Sequence, residues 1–160
     1  MLKEINLDKI RSDAETLFKG GKLLCAEAVL YSLRANAAPN MPKEMIAAVS
    51  GFPVGVGGSE CMCGTISAGV MYLGYLFGRD FPTTITDPQS LKTITLSFQF
   101  QEKFKNKHKA LCCHVQTKGL NKDNNEHLDK CSVLVGDAAV LAAEMSAKVL
   151  NIGTKGEGFK

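Results

Sequence analysis

Hydrophobic residues recur at steps of three and four along most of this chain, which is the spacing of one face of an α-helix. The period is cleanest from residue 125 to 150, where it predicts a long helix with one apolar seam. Prolines and glycines end several shorter periodic segments. The predicted helices span residues 8–19, 22–38, 43–49, 59–78, 89–107 and 125–150, with a short helical turn at 112–114 that Gly119 closes.

The segment 89–107 carries a second, competing pattern. Between Lys92 and Phe100, apolar residues alternate with Thr, Ser and Gln, which is typical of a strand. No other convincing strand is evident, and an isolated strand would leave its backbone unpaired, so we predict a helix here. The expected fold is therefore all-α: a single-domain bundle of about six to seven helices over residues 1–150, with a flexible tail at 151–160.

The predicted bundle is arranged around a central Gly/Ala-rich helix at 59–78. Ser59 is a good N-cap residue, and Glu60 is a favourable acid for the first turn. Cys61 and Cys63 then fall at the start of the helix, where amide groups and the positive end of the helix dipole favour a thiolate over a thiol. This helix is predicted to present one or two activated sulfurs to cysteines on other helices.

A glycine-rich loop at 51–58 precedes this helix. It lacks the lysine of a phosphate-binding loop and follows no evident strand, so phosphate binding is disfavoured. The glycines instead favour a tight turn beside a site, and Gly58 and Gly64 are the candidate cofactor-binding positions. Small residues spaced one turn apart, at Gly64 and Ala68 and at Gly74 and Gly78, would let another helix approach, which favours a homo-oligomer.

Composition narrows the classes of function. The chain has 160 residues, 45% of them hydrophobic and 22% charged, and its net charge of +3 is too weak to predict nucleic-acid binding. The charged N-terminus has no apolar core typical of a secretory signal. Residues 61–78 are short for a membrane span and contain Gly, Ser and Thr, so we predict a buried helix and no span. A cytoplasmic protein with reduced thiols is the expectation.

Six cysteines are the strongest chemical signal. They occur at Cys25, at Cys61 and Cys63, at Cys112 and Cys113, and at Cys131, each group on its own predicted helix. No two cysteines form a C-x-x-C pair, which disfavours a zinc ribbon, a thioredoxin motif and covalent haem. Any shared site must therefore be assembled by tertiary packing. No Ser-His-Asp order or carboxylate pair indicates a hydrolase.

Four of these cysteines resemble a known family, the small redox-active proteins named for a C_GCAxxG_C_C pattern. The matching segments are CAEAV at Cys25, CGTISAG at Cys63, CHVQTKG at Cys113 and KCSVLVGDAA at Cys131. The resemblance covers roughly residues 22–145. It implies an all-helical domain with four recurrent cysteines, often linked to oxidoreductase or transporter systems.

The chain departs from the family pattern in two ways. Thr65 and Ala68 stand where the pattern has Ala and Gly. Cys61 and Cys112 are additional to it, either as spectators or as supplements to the site.

Three functions stay open at this point. In the first, Cys63 is the reactive thiolate and Cys25, Cys113 or Cys131 resolves it, in an oxidoreductase or an accessory to one that acts with a redox partner protein. In the second, the same four cysteines ligate an iron–sulfur cluster or zinc, and His114 can replace one of them. In the third, the protein is a helical interaction module whose cysteines only fill the core.

Overall fold

The computed structural model describes residues 3–121 and 123–160 and confirms the all-α prediction. Six of the helices have six residues or more in the described part of the chain, and two short ones flank the cysteine-containing loops. In chain order the elements are β1 (Glu4–Asn6), α1 (Leu7–Lys19), α2 (Cys25–Asn36), α3 (Glu44–Val49), α4 (Pro53–Val56), α5 (Gly64–Phe77), α6 (Pro88–His108), α7 (Cys113–Thr117), α8 (Glu126–Leu150) and β2 (Gly153–Lys155).

Helix α8 is the most extensively buried element. Its apolar seam was predicted, but nearly all side chains from Leu134 to Ala147 are buried, whichever face they occupy. Many of them are alanines, and small side chains let α1, α2, α5 and α6 all pack against it. Helix α5 lies beside α8, where the buried Tyr72 hydroxyl is 2.9 Å from Ser146 Oγ. The centre of the bundle is therefore shared between the predicted central helix and the last one.

Helix α6 resolves the conflict between the strand pattern and the helix pattern. Leu96, Phe100 and Phe104 recur every four residues and are buried, whereas Ile94 and Phe98 are exposed. Phe100 lies over Gly69 of α5 so closely that a Cβ at Gly69 would overlap its ring. The apparent alternation thus combines one buried helical stripe with exposed apolar residues.

The predicted start of the central helix is wrong. Ser59 is not its N-cap, because the Ser59 hydroxyl donates to the carbonyl of Gly55 within the preceding loop. Helix α5 begins at Gly64 with Cys63 as its N-cap residue, and Glu60 has a left-handed φ of 58° that ends any helix there. Cys61 therefore precedes the helix, and the dipole argument applies only to Cys63.

The expected close approach of another helix at Gly74 and Gly78 is also not found. A Cβ added at Gly74 would have nothing within 4 Å, and one at Gly78 would meet only the Gly74 backbone of its own helix. Gly64 does make close contacts, with Ala26 and Cys25 of α2. The small residues of α5 thus allow packing inside the chain.

Residues after Leu150, predicted as a flexible tail, contain the strand β2. It pairs in parallel with β1, with Glu4 opposite Gly153. Further on, the amide of Phe159 donates to Glu144 Oε2 at 3.0 Å, and its side chain packs against the core. Periodicity cannot reveal two strands of three residues each. Flexibility of this segment stays a prediction.

As predicted for 61–78, no helix within the described ranges is both long and apolar enough to cross a bilayer.

Candidate functional site

Three of the four predicted site cysteines line one cavity of about 380 Å³. Cys25 comes from α2, Cys113 from α7 and Cys131 from α8, so tertiary packing assembles the group. The lining is mainly apolar, with Phe18, Leu23, Leu24, Pro53, Val54 and Leu128, together with Gly21, Lys22, Glu27 and His127.

Cys25 is the first residue of α2, which begins three residues later than the sequence predicts. Glu27 fixes this start, because its Oε2 accepts the Leu24 amide at 2.8 Å. Burial raises the pKa of the Cys25 thiol, and backbone hydrogen bonds from Val54 and Ala26 act in the opposite direction. Val54 also lines the cavity beside this sulfur.

Cys63 lies deeper than the other three. It is 5% exposed and is not part of the cavity lining, and its Sγ is 3.2 Å from Thr65 Oγ1. Its amide donates to Leu111 O at 2.8 Å, which joins the start of α5 to the segment before α7. Thr65, which departs from the family pattern in the sequence, is thus a hydrogen-bond partner of a site cysteine.

Gly64 is where the Cys25 sulfur meets the start of α5. A Cβ at this position would lie 2.8 Å from Cys25 Sγ and 3.0 Å from the carbonyl oxygen of Phe52. Only glycine leaves room for the sulfur beside the residue that follows Cys63. Gly58, the other predicted cofactor-binding glycine, is exposed with φ 86° and does not line the cavity.

The four sulfurs are electrostatically coupled. Burial, together with charges at Cys63 and Cys25, raises the pKa of Cys113 to about 11. Burial likewise raises the pKa of Cys131 to about 12, with added contributions from Cys63, Cys25 and Cys113. Cys63 contributes to the raised pKa of all three cavity cysteines, which places it near them although it lies outside the lining.

His127 is a cavity residue that sequence reasoning missed. It lies one turn before Cys131 on α8, and its Nε2 is 3.8 Å from Cys131 Sγ. Residues four apart on a helix share a face. The sequence HLDKC therefore carried the signal, since Cys131 itself was predicted to point inward.

The backbone of α4 is strained and is not regularly helical. Val54 and Val56 have φ of 56° and 51°, values that β-branched residues rarely adopt. Gly55 lies so close to the next turn that a Cβ there would be 2.5 Å from the carbonyl carbon of Glu60. Strain of this kind persists only where the surroundings hold it, and it concentrates at functional sites.

Cys61 and Cys112, the cysteines outside the family pattern, lie outside the cavity lining. Cys61 is exposed, and the Cys112 thiol donates to the carbonyl of Glu60 at 3.3 Å. His114 is also exposed, with its Nδ1 2.8 Å from Glu60 Oε2. His114 is therefore paired with an acid and does not face the cavity sulfurs.

In residues 3–121 and 123–160, no group of three or more Cys, His, Asp and Glu side chains is arranged to hold a metal ion. Ligation of a cluster or zinc by the four cysteines stays a prediction without geometric support.

Residues 23–145 match a family described as "Putative redox-active protein (C_GCAxxG_C_C)". This range includes all four cysteines of the cluster. Neither curated proteins nor solved structures give a match.

Proposed function

The chain belongs to the C_GCAxxG_C_C family of redox-active proteins, and we propose that it performs thiol–disulfide exchange with Cys25 and Cys63 as its redox couple. The observation that carries the proposal is the convergence of cysteines from three helices on one cavity, with Cys63 in electrostatic reach. Cys25 Sγ lies against Gly64, the residue that follows Cys63, so the fold brings Cys25 next to the start of α5.

The chemistry needs two protein thiols and a substrate disulfide. Cys25 lines the cavity, so its thiolate attacks one substrate sulfur, the substrate S–S bond breaks, and the leaving sulfur takes a proton. Cys63 then attacks the mixed disulfide, the protein disulfide forms, and the second substrate sulfur leaves as a thiol. Two electrons and two protons pass from protein to substrate. The burial of Cys63 suits this second step, which needs no contact with solvent.

The order of attack differs from the one the sequence suggests. Sequence reasoning makes Cys63 the reactive thiolate, because it opens the central helix. Its burial leaves little room for a substrate, whereas Cys25 is the first residue of α2 and lines the cavity. We therefore assign the first attack to Cys25 and the resolving step to Cys63.

The test is a redox titration of the purified protein in dithiothreitol buffers of graded oxidation, quenched by alkylation and read by mass spectrometry. We expect one two-electron transition that removes two alkylatable thiols and maps to Cys25 and Cys63. Cys25→Ser and Cys63→Ser should each abolish it. Cys61→Ser is the matched control, because Cys61 is exposed and outside the cavity, and should leave the transition unchanged. A full count of alkylated thiols in every buffer, or a transition that survives Cys25→Ser, would contradict the proposal.

A further inference from the structure

We propose that the substrate of this site is a small, apolar, uncharged disulfide that enters the cavity whole, and not a disulfide on the surface of another protein. This inference rests on the proposed exchange chemistry and names the substrate class. It is carried by the size of the cavity, its lining and the exposed residues at its mouth.

The cavity volume sets the first limit. At about 380 Å³ it lies near the lower end of the range for small-molecule sites, roughly 300–1,000 Å³. Oxidised glutathione joins two tripeptides through its disulfide and exceeds that space. A protein partner would need a surface of about 800 Å² on each side, of which this cavity could be only a small part.

The lining sets the second limit. Most lining side chains other than the sulfurs are aliphatic or aromatic, and they favour a ligand without charge. The acid in the lining, Glu27, is already engaged, because its Oε2 accepts the Leu24 amide and its Oε1 accepts the Ser50 hydroxyl at 2.6 Å. The lining also contains the exposed Lys22, whose charge is opposite to that of Glu27, so the two together give no net attraction for a charged ligand.

Two exposed apolar side chains of the lining, Leu24 and Val54, form what we call the mouth of the cavity and indicate where a ligand would make contact. Leu24 and Val54 both line the cavity, yet they are 52% and 51% exposed. Leu24 is the chain neighbour of Cys25, and Val54 lines the same cavity as both. An apolar ligand would cover both side chains while it places its sulfur beside Cys25.

The proposed reaction conserves electrons and protons. An apolar disulfide R–S–S–R takes two electrons and two protons from Cys25 and Cys63 and leaves as two R–SH groups, which stay in one molecule if the disulfide is cyclic. The protein keeps one disulfide. An external dithiol returns it to the reduced state.

The test compares rates at which reduced protein is oxidised by four probes: lipoamide in its cyclic disulfide form, the charged analogue lipoate, oxidised glutathione, and insulin. Each rate is divided by the rate of the same probe with the urea-unfolded protein, which removes differences in intrinsic reactivity. We expect the normalised rate with lipoamide to exceed that with oxidised glutathione by about tenfold or more, with lipoate between them. A higher normalised rate with insulin or glutathione would overturn the inference, and insulin in first place would assign a protein partner.

A pair of variants tests the role of the mouth. Leu24→Asn puts a neutral polar side chain at the N-cap of α2, a position where Asn is favoured, so the fold should be kept. We expect the lipoamide rate to fall severalfold and the glutathione rate to stay within twofold. Leu150→Asn is the control, because Leu150 is 47% exposed and lies outside the cavity. Equal slowing of all probes by Leu24→Asn, or no slowing, would overturn the inference.

The two proposals fail differently. If the two-thiol transition in dithiothreitol buffers occurs but lipoamide shows no preference, only the substrate class is wrong. If that transition is absent, the exchange chemistry itself is wrong.

Discussion

Position 64 shows how one missing side chain builds the cysteine cluster. Gly64 is the first residue of α5, and the sulfur of Cys25 occupies the space where its Cβ would be. The spacing of Gly64 and Ala68 in the sequence predicts a close approach at this glycine. It could not say what would approach it, because that contact joins residues far apart in the chain.

Gly64→Ala is expected to destabilise the protein by about 1–3 kcal/mol, since the new Cβ must displace the Cys25 sulfur and the Phe52 carbonyl. The same change at Gly74, in the interior of the same helix, meets nothing within 4 Å and should be neutral or stabilise by up to about 1 kcal/mol through helix propensity. Urea unfolding of both variants measures the difference. Equal effects at the two positions would mean that the sulfur does not depend on Gly64.

At the scale of elements, a buried ionic cluster ties three helices together. Asp137 of α8 is 1% exposed, and it accepts hydrogen bonds from Arg11 of α1 at 2.7 Å and from His108 and Lys107 of α6 at 2.8 Å each. Burial raises the pKa of Asp137, but the bonds from His108, Lys107 and Arg11 outweigh it and hold the pKa well below its usual range. The carboxylate is therefore charged in the folded protein at any pH near neutral.

Asp137→Asn should lower the free energy of unfolding by about 3 kcal/mol, because it leaves the cations of α1 and α6 without their partner. Asp129 is also in α8, and its exposed pair with Lys19 of α1 is lost in Asp129→Asn. This change should lower the free energy of unfolding by less than about 1 kcal/mol. Thermal or urea unfolding of the two variants measures the difference between their free energies of unfolding.

The wild-type protein should also lose stability as the pH falls through the unfolded-state pKa of Asp137, near 3.8, toward its lower folded-state pKa. The sign follows from the depressed pKa: above that range the contribution is fully present, and below it protonation favours the unfolded chain. Asp137→Asn should reduce the dependence of the free energy of unfolding on pH in this range. An unchanged acid limb in the variant would show that other carboxylates control acid unfolding.

Long elements are what the sequence predicts best. Helix α8 follows from periodicity along its whole length, whereas α6 was predicted helical because its alternating segment had no evident partner strand. The loop from Val54 to Met62 could not be predicted, because positive φ at valine contradicts local preference and exists only through surrounding contacts. The family resemblance singled out the four cysteines. That Cys63 is buried and Cys25 lines the cavity could not be predicted from the sequence.

At the scale of the whole molecule, the segment after α8 returns to the start of the chain. The β1–β2 pairing, the bond from the Glu157 amide to Asp8 Oδ1 at 2.8 Å, and the Lys107 ammonium 4.6 Å from the centre of the Phe159 ring all join it to the bundle. Glycines at 156 and 158 permit this path, because a Cβ at either would clash with Asp8 or Glu144.

Deletion of residues 151–160 should therefore destabilise the protein by about 2 kcal/mol, roughly the contribution of a partly buried aromatic side chain with its backbone bonds. Phe159→Ala should account for much of this, whereas Lys160→Ala should have little effect, because its pair with Glu157 is exposed. Calorimetry of the three variants measures each loss. No change on deletion would support the flexible tail that the sequence predicts.

Cys25 and Cys63 belong to different helices and are separated by about 40 residues of chain. A covalent bond between them would tie α2 to α5 and remove on the order of 4 kcal/mol of loop entropy from the unfolded chain. Oxidation would thus stabilise the contact between the two helices, and reduction would reverse this effect. The melting temperature of this protein would then depend on the redox potential of its surroundings. The reduced form would unfold at a lower temperature than the oxidised form.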